Sequence, residues 1–178
     1  MIATALTVVH KFIRHELFDT SRMIACAGPD DAAAIIEKLD SVVALLETHA
    51  EHEEIQFEPL LRNAAPDDAD RLTRDHRALH AELDNVHAAA RSLDTQHGDA
   101  RVAALLQLHL DWNRFVGHYL LHIDDEERSM FNAIRESIPA IELIAQGARA
   151  NDPEGAGKFL EMLCAIVAPV EREAINRG

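Results

Sequence analysis

Residues 105–126 read LLQLHLDWNRFVGHYLLHIDDE. Within them Leu105, Leu108, Trp112, Phe115 and Tyr119 recur at steps of 3, 4, 3 and 4. Those steps hold side chains on one stripe of an α-helix. A half-buried strand would alternate residue by residue, and this segment does not. Continuing by 3 and then 4 from Tyr119 lands on His122 and Glu126. The stripe that builds a core therefore ends in an imidazole and a carboxylate. A carboxylate taken out of water is costly unless it is paired or bound to a cation, so one stretch raises the question of fold and the question of chemistry together.

The composition extends the helical reading to the whole chain. Of 178 residues 48% are hydrophobic and only 4% aromatic, with 7 glycines and 6 prolines. No hairpin dipeptide joins two alternating runs, and the length suits one domain with a real core. Helix one is expected over 2–26, with Leu6, Val9, Ile13, Leu17 and Ile24 inward, stopped by Gly28 and Pro29 in AGPDD. Helix two is expected over 31–63, with Ile36, Leu39, Val43, Leu46 and Leu60 inward and Pro59 kinking its last turn. After the connector AAPDDAD, helix three covers 69–95 on Leu72, Leu79, Leu83 and Val86. The turn QHGDA leads to helix four over 100–137, closed by Pro139. Long helices joined by short connectors alternate in direction, which predicts an all-α protein: an antiparallel up-down-up-down four-helix bundle over 1–137. Residues 138–178 are expected as a C-terminal helical extension, with segments at 140–150 and 155–168 around ANDPEGAG. The extension should pack on the bundle, or on a protein partner or a second copy in a homo-oligomer.

Charge removes several classes of partner. The net charge is −14, and no cluster of Lys and Arg offers a grip on phosphate backbones, so neither nucleic acid nor an anionic membrane surface is an expected partner. No apolar run approaches the ~20 residues that span a bilayer, and no stretch resembles a signal peptide. Cys26 and Cys164 lie far apart without CxxC spacing, the pattern of unpaired thiols. Together these point to a cytoplasmic protein.

Eleven histidines are the anomaly of the composition. Residues three, four and seven apart share a helix face, so each histidine is tested against its own stripe. Seven polar residues fall inside: His10; His49 and Glu53; His76 and His80; His122 and Glu126. His15, His52, His109 and His118 fall at the surface or margin, His97 in a turn, and His87 on a partly buried packing position. Glu54, Asp124, Asp125 and Glu127 are expected to be solvated, with the alternative that one of them orients a ligand imidazole through its free N–H, and Tyr119 to be a core aromatic within a turn of His122. A lone core histidine is usually a hydrogen-bonded packing residue. Five imidazoles and two carboxylates facing inward from four helices, with no inward Lys or Arg, have no such ordinary explanation; they call for cations. Imidazole with carboxylate suits iron, zinc or manganese, and the lack of thiolates argues against a structural zinc site. Seven ligands exceed one ion and suit two, with the carboxylates bridging. With a solvent bridge they fill eleven of the roughly twelve positions of two octahedral ions, leaving one for a small molecule such as O2.

Four segments carry a resemblance: VVHKFIRHEL at 8–17, HAEHEEIQFEPLL at 49–61, DHRALH at 75–80 and HIDDEERSMF at 122–131. Over roughly residues 1–135 the chain resembles the hemerythrin-like, HHE cation-binding family, in its bacterial single-domain form. The resemblance implies two iron ions in a non-haem di-iron site, bridged by oxo or hydroxo and by carboxylate. It implies that His76, His80 and His122 hold one iron and His10 and His49 the other, with Glu53 and Glu126 bridging and the open position on the iron with two histidines. Oxygen carriers of that family use His-x-x-x-x-Asp in the last helix, where this chain has His-x-x-x-Glu like many bacterial members. The expected function is to bind or sense O2. The alternatives are a di-iron enzyme that reduces O2, peroxide or nitric oxide, and a protein of iron storage or donation.

Overall fold

The computed structural model describes residues 5–134, 142, 145–146, 149–150 and 153–177. All regular structure among them is helical. The long helices are α1 (Ala5–Cys26), α2 (Ala32–Gln56), α4 (Pro66–Ser92) and α5 (Gly98–Ala133), with a short α3 (Glu58–Ala64) between α2 and α4. Two helices follow, α6 (Pro153–Ile166) and α7 (Pro169–Arg177). The expected start of helix one at residue 2, the end of helix four at 137 and most of the segment 140–150 lie outside the described residues.

The four long helices form a ring, α1 against α2, α2 against α4, α4 against α5 and α5 back against α1. Side-chain pairs along each seam run in opposite sequence order, as between antiparallel neighbours. His10 meets Glu127 while Ser21 meets Trp112; Glu16 meets Lys38 while His10 faces His49. Asp40 meets His87 while Glu53 meets His76, and Arg71 meets Asp125 while Glu82 meets His118. Inside the ring lies one apolar cluster, built on the stripe that opened the reading: Leu105, Leu108, Trp112, Phe115 and Tyr119 are all buried, with Leu17, Leu39, Leu46 and Leu83 from the other three helices. The Trp112 indole is fully enclosed, and its N–H donates to Ser21 Oγ at 2.9 Å, which satisfies the one polar atom the ring brings into the core.

Helix two departs from expectation. Instead of one helix kinked at Pro59, α2 ends at Gln56 and α3 starts at Glu58. Proline has no N–H for the carbonyl one turn back, but in the first turn of a new helix that donor is not needed. Phe57 sits at the joint, buried with Leu61 and Leu72. The restart changes the phase of the stripe, so Leu61 is buried and Leu60 is exposed. Ile35 likewise takes the core position expected of Ile36.

The last two helices do not stand alone. Leu160, Leu163 and Val167 of α6 and its exit, with Ala174 and Ile175 of α7, bury Val8 and Phe12 on the outer face of α1. Lys11 reaches both Glu171 carboxylate oxygens at 2.6 Å, and Glu171 accepts the Ala168 backbone N–H at 2.9 Å, so one side chain caps α7 and ties it to α1. No helix among the described residues is long and apolar enough to cross a membrane.

Candidate metal centre

Six of the seven side chains expected inside meet at one level of the bundle. His10 comes from α1, His49 and Glu53 from α2, His76 from α4, and His122 and Glu126 from α5. On α2 and α5 the histidine and glutamate are four residues apart and so point the same way. His10 and Glu126 are fully enclosed, and Glu53, His122 and His49 are 2%, 6% and 8% exposed. His76 is half-buried.

The two carboxylates divide their oxygens between two sets of imidazoles. Glu53 Oε1 lies 3.4 Å from His10 Nε2 and 3.2 Å from His49 Nε2, and Glu126 Oε2 lies 3.6 Å from His10 Nε2. On the other side Glu53 Oε2 lies 3.4 Å from His76 Nε2, and Glu126 Oε1 is 3.1 Å from both His76 Nε2 and His122 Nε2. The result is two groups, His10–His49–Glu53–Glu126 and His76–His122–Glu53–Glu126, each with one ligand atom per residue within 4.8 Å of the others. Both glutamates belong to both groups.

The cluster is not hydrogen-bonded to completion. His49 Nε2, Glu53 Oε2, His122 Nδ1 and Glu126 Oε2 are buried with no hydrogen-bond partner. Buried polar atoms are nearly always satisfied, and four orphans in one place are the mark of a site shaped for something else. Among the described residues no Lys or Arg is buried with them. The neutralising charge comes from histidine. Burial presses His10 down, but its hydrogen bonds to Glu127 and Glu53 and the charge of Glu126 prevail and lift it to about 9. Burial likewise opposes the charge on His76, and Glu126 and Glu53 overcome it and raise it to about 10. His49, with no such hydrogen bond, is lowered by burial. Burial and the repulsion of Glu126 push Glu53 upward, yet His49, His10 and His76 bring it below the usual carboxylate range. Glu126 is also buried, and His122 and His76 hold it well below that range. Both carboxylates are therefore ionised, while protons on the imidazoles stand where cations would.

His80 is not brought in. It is exposed on α4 and belongs to neither group. Eight residues past Leu72 it lies about 80° around the helix, whereas Leu79 and Leu83 lie within about 20° of Leu72 and His76 about 40° away. With His76, Leu79, Leu83, Phe115 and Tyr119 it lines a cavity of about 30 Å³, room for one molecule of water or dioxygen size. Tyr119 is buried, its ring 5.9 Å from that of His122; burial and the Glu53 and Glu126 charges keep its phenol protonated. His15, His52, His97 and His118 are exposed, and His87 pairs with Asp40 at 2.6 Å, away from the site.

Of the four flanking carboxylates that could orient a ligand imidazole, spacing did not single out Glu127, and the structure does. Expected in solvent, Glu127 is half-buried, accepts from His10 Nδ1 at 3.1 Å and takes Arg14 Nη1 and Nη2 at 2.9 and 3.1 Å. Its partners lie more than a hundred residues away in sequence. The only local signal was Arg14 standing one turn beyond His10.

The hemerythrin HHE cation binding domain matches residues 1–134 as a family model. No curated protein and no solved structure matches the chain.

Proposed function

The chain belongs to the family of the hemerythrin HHE cation-binding domain, and from that premise we propose that His10, His49, Glu53, His76, His122 and Glu126 hold two iron ions and that the protein binds or senses a small ligand such as O2. The observation that carries the reading is the sharing of each carboxylate: one oxygen of Glu53 and one of Glu126 face each pair of histidines. Two ions held side by side would use that division, and a single ion would not. Four imidazole nitrogens and four carboxylate oxygens would fill eight of the roughly twelve positions of two octahedral ions and would leave room for solvent and a small ligand. When bound, the irons supply the redox couple and the affinity for that ligand. The protein's part is to hold the ligand atoms and to line the small cavity beside His76 with Leu46, Leu79, Leu83 and Phe115.

Four imidazoles against two carboxylates favour reversible binding. The enzyme alternative has one feature in its favour, the protonated phenol of Tyr119 beside His122 and on the wall of the small cavity, a proton source of the kind that reduction of O2 or peroxide needs. Protein produced with ample iron should contain close to two irons per chain, and the absence of any stoichiometric transition metal would sink the reading. His122→Ala or Glu126→Ala should abolish loading, and His109→Ala should leave it intact. The optical spectrum of the reduced protein before and after air separates the functions. A stable adduct reversed by removing O2 is binding, whereas immediate and irreversible oxidation marks an enzyme or a one-way sensor.

A further inference from the structure

The two histidine pairs are not supported alike. His10 Nδ1 lies 3.1 Å from Glu127 Oε1, and a carboxylate can only accept, so Nδ1 carries the proton of that contact. Glu127 is in turn gripped by Arg14 through both terminal nitrogens, at 2.9 and 3.1 Å, the two-pronged arrangement that fixes a carboxylate's plane as well as its position. The Glu127 and Arg14 side chains are 22% and 28% exposed, so the pair closes the outer side of a histidine that has no exposure at all. With Nδ1 engaged, the His10 nitrogen left for the interior is Nε2, the atom facing Glu53 and Glu126. Among the described residues no carboxylate holds the outer nitrogen of another of these rings in the same way, and His122 Nδ1 has no hydrogen-bond partner at all. The sequence repeats His-x-x-x-Glu-Glu on α2, but there the second glutamate, Glu54, is exposed. The repeated motif is thus used differently in its two copies.

We propose that Glu127, braced by Arg14, is a positioning residue that fixes the ring of His10 with Nε2 turned to the two shared carboxylates, and so sets the strength of metal binding in the His10–His49 half of the centre alone. The second clause rests on the metal reading above; the first does not. Outer partners of ligand histidines fix ring orientation and tautomer, and their loss typically costs 10–100-fold in metal affinity. Removal of Glu127 has a further consequence. It leaves the Arg14 guanidinium unpaired beside the half-site that is to receive a cation.

The test compares wild type, Glu127→Ala, Glu127→Gln, Arg14→Ala and, as control, Asp124→Ala, a partly exposed residue paired with Arg128. Each metal-free protein is titrated anaerobically with iron(II), and the His10 Nδ1 proton is observed by NMR before metal is added. Wild type and Asp124→Ala should take up two ions per chain and show a hydrogen-bonded Nδ1 proton protected from exchange. Glu127→Ala should bind the first ion as wild type does, bind the second about 10–100-fold more weakly, and lose the protected proton. Glu127→Gln keeps an accepting oxygen but no charge, and should fall between Glu127→Ala and wild type; Arg14→Ala keeps the acceptor and should lose least. A general loosening of the bundle would weaken both ions together and lower the thermal midpoint in proportion, and that outcome overturns the proposal. Two ions bound by Glu127→Ala as tightly as by wild type, or a protected proton that survives in it, also overturn it. If Glu127→Ala does not fold, Glu127→Gln and Arg14→Ala decide, and wild-type behaviour in both overturns the proposal. A wild-type protein that binds no iron removes the metal reading, and the NMR signal then decides the positioning by itself.

Discussion

At the scale of single residues, the centre is defined by which nitrogens and oxygens face one another. His80 is the sharpest case, because helical spacing groups it with His76 while the folded chain leaves it exposed. A ligand set of six predicts that His80→Ala still loads two ions, whereas His76→Ala does not; equal losses in the two variants would return His80 to the centre. The protonation of the metal-free site gives a second expectation. With His10 near 9 and His76 near 10, both rings carry a second proton and a positive charge at pH 7, and a metal ion takes only the neutral ring. Loading at pH 7 should release about two protons per chain, and affinity should rise with pH until those rings are neutral without help. Calorimetry in buffers of different ionisation enthalpy measures the release. A value near zero would mean that the imidazoles are already neutral and that the glutamates are balanced by some other charge.

At the scale of elements, what was legible in the sequence was periodicity, and what was not was phase and cross-helix reach. The α5 stripe is long enough that five apolar residues fix its face, so the inward places of His122 and Glu126 follow from it. In α2 the restart at Phe57 shifts the phase, which is why Leu61 rather than Leu60 is buried; a proline in a helical pattern signals an interruption but not whether the helix bends or begins again. His80 lies about 80° from Leu72, just past the edge of the buried stripe, and spacing alone does not set that edge. Which of the four flanking carboxylates would touch a ring was out of reach for another reason: neighbours on a helix surface are read from spacing, but the contact of Glu127 with α1 depends on how two helices are rotated against each other. Turn chemistry was more legible. Gly98, flagged as a turn residue, opens α5 with φ +56°, a conformation that disfavours a side chain. A Cβ there would meet nothing within 4 Å, so the cost of Gly98→Ala is conformational only. It should destabilise the protein by about 1 kcal/mol and lower the thermal midpoint by about 2–4 °C without changing metal content. An unchanged midpoint would mean that the turn relaxes to negative φ.

At the scale of the whole molecule, the bundle holds two ionised carboxylates in its interior and balances them with protonated histidine when no metal is present. That arrangement fixes how stability depends on pH. His10 and His76 have folded values of about 9 and 10, above the ordinary histidine value of 6.5. Their contribution is full below pH 6.5 and is lost as pH rises through 9 and 10, because the folded state must then give up protons that the unfolded chain no longer binds. Glu53 and Glu126 shift downward, so their contribution is present above the ordinary value of 4.5 and is lost as pH falls through their folded values. The metal-free protein should therefore be most stable in mildly acidic solution and weaken toward pH 10. Metal reverses the alkaline limb: ions that bind only the folded state stabilise it in proportion to the logarithm of their concentration over the dissociation constant, and they replace the very protons that alkali removes. The urea midpoint of the chelator-treated protein should fall between pH 6.5 and 10, while that of the loaded protein holds or rises. Below about pH 5 the order changes again, since protons compete with metal for the same nitrogens and oxygens and the loaded form should lose its advantage. Trp112, the chain's single tryptophan and fully enclosed in the core, reports both transitions by fluorescence. Parallel midpoints for the two forms across pH 6.5 to 10 would mean that the centre carries neither the histidine protons nor the metal whose exchange this dependence requires.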